Sequence, residues 1–186
     1  MMKKTKFLAL CLAVAMLCSG CGVIKAVGSV VQALNTPVEE QDHRERMSQW
    51  VEVDVTGGEQ TYFYDDHGGF LGDGMTFAVL RFPDEALLPA IEANLGWREL
   101  PLSENLTVAL HGSANNSHGL ITDDRGNPYF PYVENGYWYF FDRRNDDLAP
   151  GGHYDDSRLF DRHSYNFYAA VYDTDTNTMY ITAFDT

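Results

Sequence analysis

Tyr137-Trp-Tyr-Phe-Phe-Asp142 is the stretch on which the fold turns. Read as a strand, it points Tyr137, Tyr139 and Phe141 to one face and Trp138 and Phe140 to the other. Both faces are aromatic, so the strand belongs inside a sheet that is covered on two sides or that presents one aromatic face to a ligand. Two more strands follow. Residues 165–172 and 179–184 are mostly apolar and aromatic, and Asp173-Thr-Asp-Thr-Asn-Thr178 joins them as a hairpin turn.

Upstream, Val51, Val53 and Val55 alternate with Glu52 and Asp54, which predicts a strand with one wet face. Gly57-Gly58 breaks it, and Tyr62, Phe63 and Tyr64 continue in extended form. Residues 75–82 are apolar on both faces apart from Thr76 and Arg81, as an interior strand should be. Asp84 then opens a helix with Leu87, Leu88, Ile91 and Leu95 on one stripe and Gly96 at its end. Pro89 lies within that pattern, so the helix is kinked or starts late. Ser103 is a second N-cap, for a short helix ending near Gly112, and residues 112–136 are rich in turn chemistry and predict a long loop. The expected architecture is α+β: an antiparallel sheet of about five strands with one main helix packed on one face, in the order β-β-α-β-β-β. One helix leaves the second aromatic set under the long loop, under an N-terminal segment, or on an exposed binding face.

The N-terminus reads as an address. Lys3, Lys4 and Lys6 precede an apolar run over residues 7–17, well short of the ~20 residues a membrane-spanning helix needs. Ser19-Gly20-Cys21 then places small residues before a cysteine, and this ending resembles the lipobox of bacterial lipoproteins, although Cys18 stands where leucine is usual. The resemblance implies that residues 1–20 are removed as a signal peptide and that Cys21 is lipidated and holds the chain on the extracytoplasmic face of a bacterial cell membrane. Residues 21–49 are expected to be anchor and tether. Val23, Ile24, Val27, Val30, Val31 and Leu34 recur at helical spacing, Pro37 ends that pattern, and residues 39–49 form a polar spacer. Residues 50–186 are expected to be a single domain.

Composition narrows the function classes. Cys11, Cys18 and Cys21 are the three cysteines, all in the leader or at the anchor, which leaves the expected domain no thiol for a disulfide, a thiolate metal site or a cysteine nucleophile. The chain carries a formal charge of −14, and losing the three leader lysines makes it −17. Such a surface repels phosphate backbones and anionic headgroups, so nucleic acid is not an expected partner.

No motif announces catalysis. His67-Gly-Gly-Phe-Leu-Gly-Asp-Gly74 has the glycines of a phosphate loop, but it feeds a strand pattern and no lysine follows. It is a strand-connecting turn or a loop whose backbone approaches something closely. Asp173, Asp175 and Asn177 imitate a calcium loop, but Thr178 stands where glycine is needed and Phe184 where the bidentate glutamate belongs. No metal site or cofactor is therefore expected. Carboxylates such as Asp155, Asp156 and Asp161, or Asp65, Asp66 and Asp73, could lend oxygens to a surface calcium, but no spacing singles them out.

The candidate binding residues are His67 and Asp73 on the glycine loop, Tyr137 and Tyr139 on the aromatic strand, and Arg143 and Arg162 beside strand ends. Several segments together resemble a group of small bacterial secreted proteins and lipoproteins of no known activity. They are His67-Gly-Gly-Phe-Leu-Gly-Asp-Gly74, Leu100-Pro-Leu-Ser-Glu-Asn-Leu106, Asn135-Gly-Tyr-Trp-Tyr-Phe-Phe-Asp-Arg143, Asp161-Arg-His-Ser-Tyr-Asn-Phe167, Tyr172-Asp-Thr-Asp-Thr-Asn-Thr178 and the Phe184-Asp-Thr end. That resemblance implies domain identity and a secreted habit. The leading expectation is a non-enzymatic, lipid-anchored domain that captures an envelope protein, peptide or glycan. The alternatives are a cell-envelope hydrolase using Asp66, His67 or Asp73, and an inhibitor or immunity-type lipoprotein.

Overall fold

The computed structural model describes residues 43–68, 72–113, 118–144 and 148–186. The expected signal peptide, Cys21, the apolar stretch of residues 23–34 and Gly69 lie outside them. The described order is α1 (Arg44–Val51), β1 (Glu59–Asp65), β2 (Gly74–Arg81), α2 (Leu88–Ala93), β3 (Trp97–Glu99), α3 (Glu104–His111), β4 (Gly136–Asp142), β5 (Asn166–Asp173) and β6 (Thr178–Asp185). The strands form one antiparallel sheet in the order β1-β2-β6-β5-β4-β3. The α+β class is as expected, but with six strands and three short helices among the described residues rather than about five strands and one main helix.

The corrections have local causes. No strand forms over residues 51–55, although their burial alternates. Val51, Val53 and Val55 are buried, while Glu52 and Asp54 are exposed. Val51 still belongs to the preceding helix, and Glu52 turns the chain at φ 56°. The residues after it join no ladder because their hydrogen bonds go elsewhere: Val55 N–H donates to Ser48 Oγ at 2.9 Å, and Gly58 N–H turns back to the Val55 carbonyl at 3.0 Å. Residues 44–51, read as spacer and domain edge, are instead a helix whose Met47, Trp50 and Val51 are buried. Those three sit at helical spacing (i, i+3, i+4), but the polar residues around them mask the stripe in the sequence. Pro89 delays α2, which begins at Leu88 and ends at Ala93. Leu95 therefore falls beyond the helix and is 98% exposed, not part of the inward stripe. β3, three residues long, is too short to show a period.

The other elements follow the reading. β2 is interior, between β1 and β6. Ser103 Oγ caps α3 by accepting Leu106 N–H at 3.1 Å. The Asp173 carboxylate accepts the N–H groups of Asp175 and Thr176, so it closes the β5–β6 turn.

Both sheet faces are covered. On one, Tyr139, Tyr172, Met179 and Ile181 pack beneath Met47, Trp50 and Val51 of α1 and Ile91 of α2. On the other, Trp138, Phe140, Phe167 and Phe77 pack beneath Leu106 and Leu110 of α3, Ile121 and Phe130 of the long loop, and Leu159. The long loop thus shares the cover of the second aromatic set with α3. Burying side chains of this size contributes roughly 1.5–3 kcal/mol each, which makes the two layers the main source of cohesion.

Candidate functional site

Antiparallel register gathers the chemistry at one end of the sheet. Asp65 closes β1 opposite Thr76, Gly74 opens β2 opposite Asp185, and Asn166 opens β5 opposite Asp185. Arg143 follows the last residue of β4 at the same end. His67 enters this cluster from the loop between β1 and β2.

Gly74 explains part of the glycine loop. At φ +154° it lies so close to the chain that a Cβ would sit 2.6 Å from His67 Cα. The close approach is therefore made by the loop to itself. It is sealed by Asp66 N–H to the Met75 carbonyl (3.1 Å) and by Met75 N–H to Asp66 Oδ1 (2.5 Å).

The closed loop holds His67 between two carboxylates. Nδ1 is 2.8 Å from Asp65 Oδ1, Nε2 is 3.1 Å from Asp185 Oδ2, and Thr76 Oγ1 is 3.3 Å from Nδ1. Both carboxylate bonds exist together only when each ring nitrogen carries a proton. Asp185 is shared: its other oxygen accepts from Arg143, whose guanidinium also lies 4.5 Å over the Tyr168 ring. Burial works to raise the pKa of Asp65. The hydrogen bonds from the His67 ring and backbone N–H, with the charges of His67 and Arg46, outweigh it and hold the carboxyl below its ordinary value.

Beside this chain lies a groove of 400 Å³ to which Asp66, Asp73, Met75, Leu120, Phe184 and Asp185 contribute. Asp66 is committed, accepting the Tyr64 hydroxyl at 3.0 Å and Met75 N–H. Asp73 is exposed, and no hydrogen bond or ion pair engages it among the described residues.

The sequence candidates therefore separate. His67 and Arg143 meet through Asp185, and Asp73 lines the adjoining groove. Tyr137 is on a covered face and donates to Glu92 Oε1 at 3.0 Å. Tyr139 is wholly buried, its hydroxyl has no partner, and desolvation first, then nearby Glu52, pushes its pKa far above the ordinary tyrosine value. Arg162 is buried against Asp142 at 2.6 Å. Tyr139 and Arg162 are core and framework residues, whereas Tyr137 is half-buried at the margin of the core. Asp185 was missed. It stands 118 residues from His67, and no local signal marks it.

A second, smaller pocket of 170 Å³ lies between α3 and the long loop, lined by His111, Tyr132 and Leu102 among others. The His111 ring stacks on Tyr132 at 4.2 Å, and burial lowers its pKa. Among the described residues no group of three His, Cys, Asp or Glu side chains is placed to hold a metal ion. No described helix is long and apolar enough to cross a membrane. Comparison with family models, with curated proteins and with solved structures gives no match.

Proposed function

We propose that this chain is a lipid-anchored binding domain on the extracytoplasmic face of a bacterial membrane, acting without catalysis, with its ligand in the groove beside His67. The carrying observation is a chain of polar side chains bound to one another, with Arg143 Nε lacking a partner among the described residues, next to an open groove. Asp65, His67, Asp185 and Arg143 are engaged with one another, while Asp73, of the carboxylates lining the groove, has no partner among the described residues. A general base needs a free lone pair within reach of its substrate, and His67 spends both nitrogens on carboxylates.

One geometric fact favours the hydrolase reading: Thr76 Oγ1, His67 and Asp185 fall in a nucleophile–base–orienter sequence. Against it, Thr76 is 1% exposed, and Asp65 holds the same ring nitrogen more closely. The lipid anchor is supported by the lipobox-like Ser19-Gly20-Cys21.

The test is a photo-reactive amino acid placed at position 73 in cells, with a second at exposed Leu95 as control. A discrete adduct at 73, absent at 95 and lost when His67→Ala is added, is the expected result. No adduct at 73 overturns the groove as the ligand site. Cys21→Ser should move the protein out of the membrane fraction, and retention there overturns the anchor.

A further inference from the structure

We propose that the partner docks as an extended, cationic segment added to the free edge of β1, its lysine or arginine side chains lying over Tyr62, Tyr64 and Tyr129. This rests on the binding-domain reading and names the chemistry of its partner.

The first observation is the edge. Among the described residues β1 ends the sheet and pairs only with β2. Edge strands are commonly blunted by proline, lysine, a bulge or shortness. Glu59–Asp65 has neither residue and runs for seven, with one irregularity between Gln60 and Tyr62. From Tyr62 to Asp65 its register is regular, so its outward N–H and C=O groups suit strand addition. The opposite edge, β3, offers only three residues.

The second observation is the surface beside that edge. Tyr62 and Tyr64 share a face, two residues apart. Tyr129 of the long loop lies 6.4 Å from Tyr62 and 5.7 Å from Tyr64, and Phe77 lies below at 5.0 Å from Tyr129. Tyr62 is 44% exposed. Aromatic faces of this kind attract a guanidinium or ammonium.

The third observation is charge. The Tyr64 hydroxyl donates to Asp66, which joins the tyrosines to the groove that Asp73 also lines. Asp66 and Asp124 both raise the pKa of that hydroxyl, the hydrogen bond to Asp66 most, as expected in a negative field. The cations beside β1 are Arg44, which donates to the Gly58 carbonyl, Arg81, opposite Glu59, and Arg46, 3.9 Å from Asp65. At the Tyr64 end Arg46 and Arg125 face the carboxylates of Asp65, Asp66, Asp73, Asp123 and Asp124, within a chain of net charge −14.

A second copy of the chain fits this edge poorly. Antiparallel pairing of β1 with itself sets Glu59 against Asp65 at both ends, and facing like charges destabilise a strand pair. A partner strand carrying cations meets the opposite situation.

The probe is a fluorescein-labelled ten-residue peptide alternating arginine and valine, titrated into the detergent-solubilised full-length protein and followed by anisotropy. Saturable binding is expected. It should weaken about tenfold when alternate peptide nitrogens are methylated, because the ladder bonds are lost. It should weaken about threefold or more in Tyr62→Ser, whose exposed position spares the fold, and in Asp124→Asn. Equal binding of a glutamate–valine peptide, or affinities unmoved by methylation and by Tyr62→Ser, overturns the proposal. Dimerisation of the protein through β1, seen by sedimentation, overturns it in favour of a second copy. A cross-link at position 73 without peptide binding means that the groove has a ligand and that this inference alone fails.

Discussion

Two arginine–aspartate pairs flank the start of the same loop, and they do different work. Asp142, the last residue of β4, meets Arg162 with only 5% and 7% of the two side chains exposed. Arg143, the next residue, meets Asp185 with 27% and 22% exposed, and Asp185 passes on to His67 and Asp65. The first pair is closed off, and among the described residues two guanidinium nitrogens of Arg162 find no partner, against one of Arg143. The second is a half-wet relay beside a groove. Identical chemistry is structural where water is excluded and available for recognition where water remains, because desolvation decides how much each partner depends on the other.

Breaking the buried pair should have the largest effect. Arg162→Ala leaves the Asp142 carboxylate buried and uncompensated, which costs about 3–5 kcal/mol of stability in chemical denaturation. Replacing both partners with apolar residues, Arg162→Met with Asp142→Leu, should recover most of that loss. If Arg162→Ala unfolds no more easily than wild type, the distinction between the two pairs collapses.

The partly exposed pair should respond far less. Asp185→Asn is expected to cost at most about 1 kcal/mol, since solvent screens the charges it removes. The same substitution should abolish the position-73 adduct, because His67 then loses one of the two carboxylates that orient it. A stability loss as large as that of Arg162→Ala would make this cluster framework instead of site.

The smallest effect sharpens the relay's electrostatics. The depressed Asp65 pKa means that its stabilising contribution is present above the unfolded value, about 4, and is lost as pH falls through the lower folded value. In melting curves from pH 7 down to pH 2.5, wild type should lead Asp65→Asn near neutrality. That lead should begin to shrink at roughly pH 4 and vanish only once the pH is below the lower folded value. A constant gap across the range would show that Asp65 acts through packing and not through its charge.

Much of the fold was legible locally. β2, β4, β5 and β6 were read from apolar and aromatic patterning, and the Ser103 cap and the Asp173 turn from side chains that bond their own backbone. α1 was not, because only Met47, Trp50 and Val51 of its eight residues face inward and the rest look like tether. Of the site, His67, Asp73 and Arg143 were named from loop and strand-end positions.

What the sequence determined by itself is the α+β class, the position of most strands, the strongly acidic charge and a lipobox-like N-terminus, since each is written in neighbouring residues. Only the tertiary structure decided that Tyr139 and Arg162 belong to the framework, that Tyr137 is half-buried against it, and that His67 meets Arg143 through Asp185. Burial depends on what packs above a face, here α1 on one side and α3 with the long loop on the other. The His67–Asp185–Arg143 relay depends on strand order β1-β2-β6-β5-β4, which brings the last strand between the first hairpin and the middle of the sheet. Register across non-consecutive strands is a property of the assembled ladder, and no local pattern in the chain encodes it.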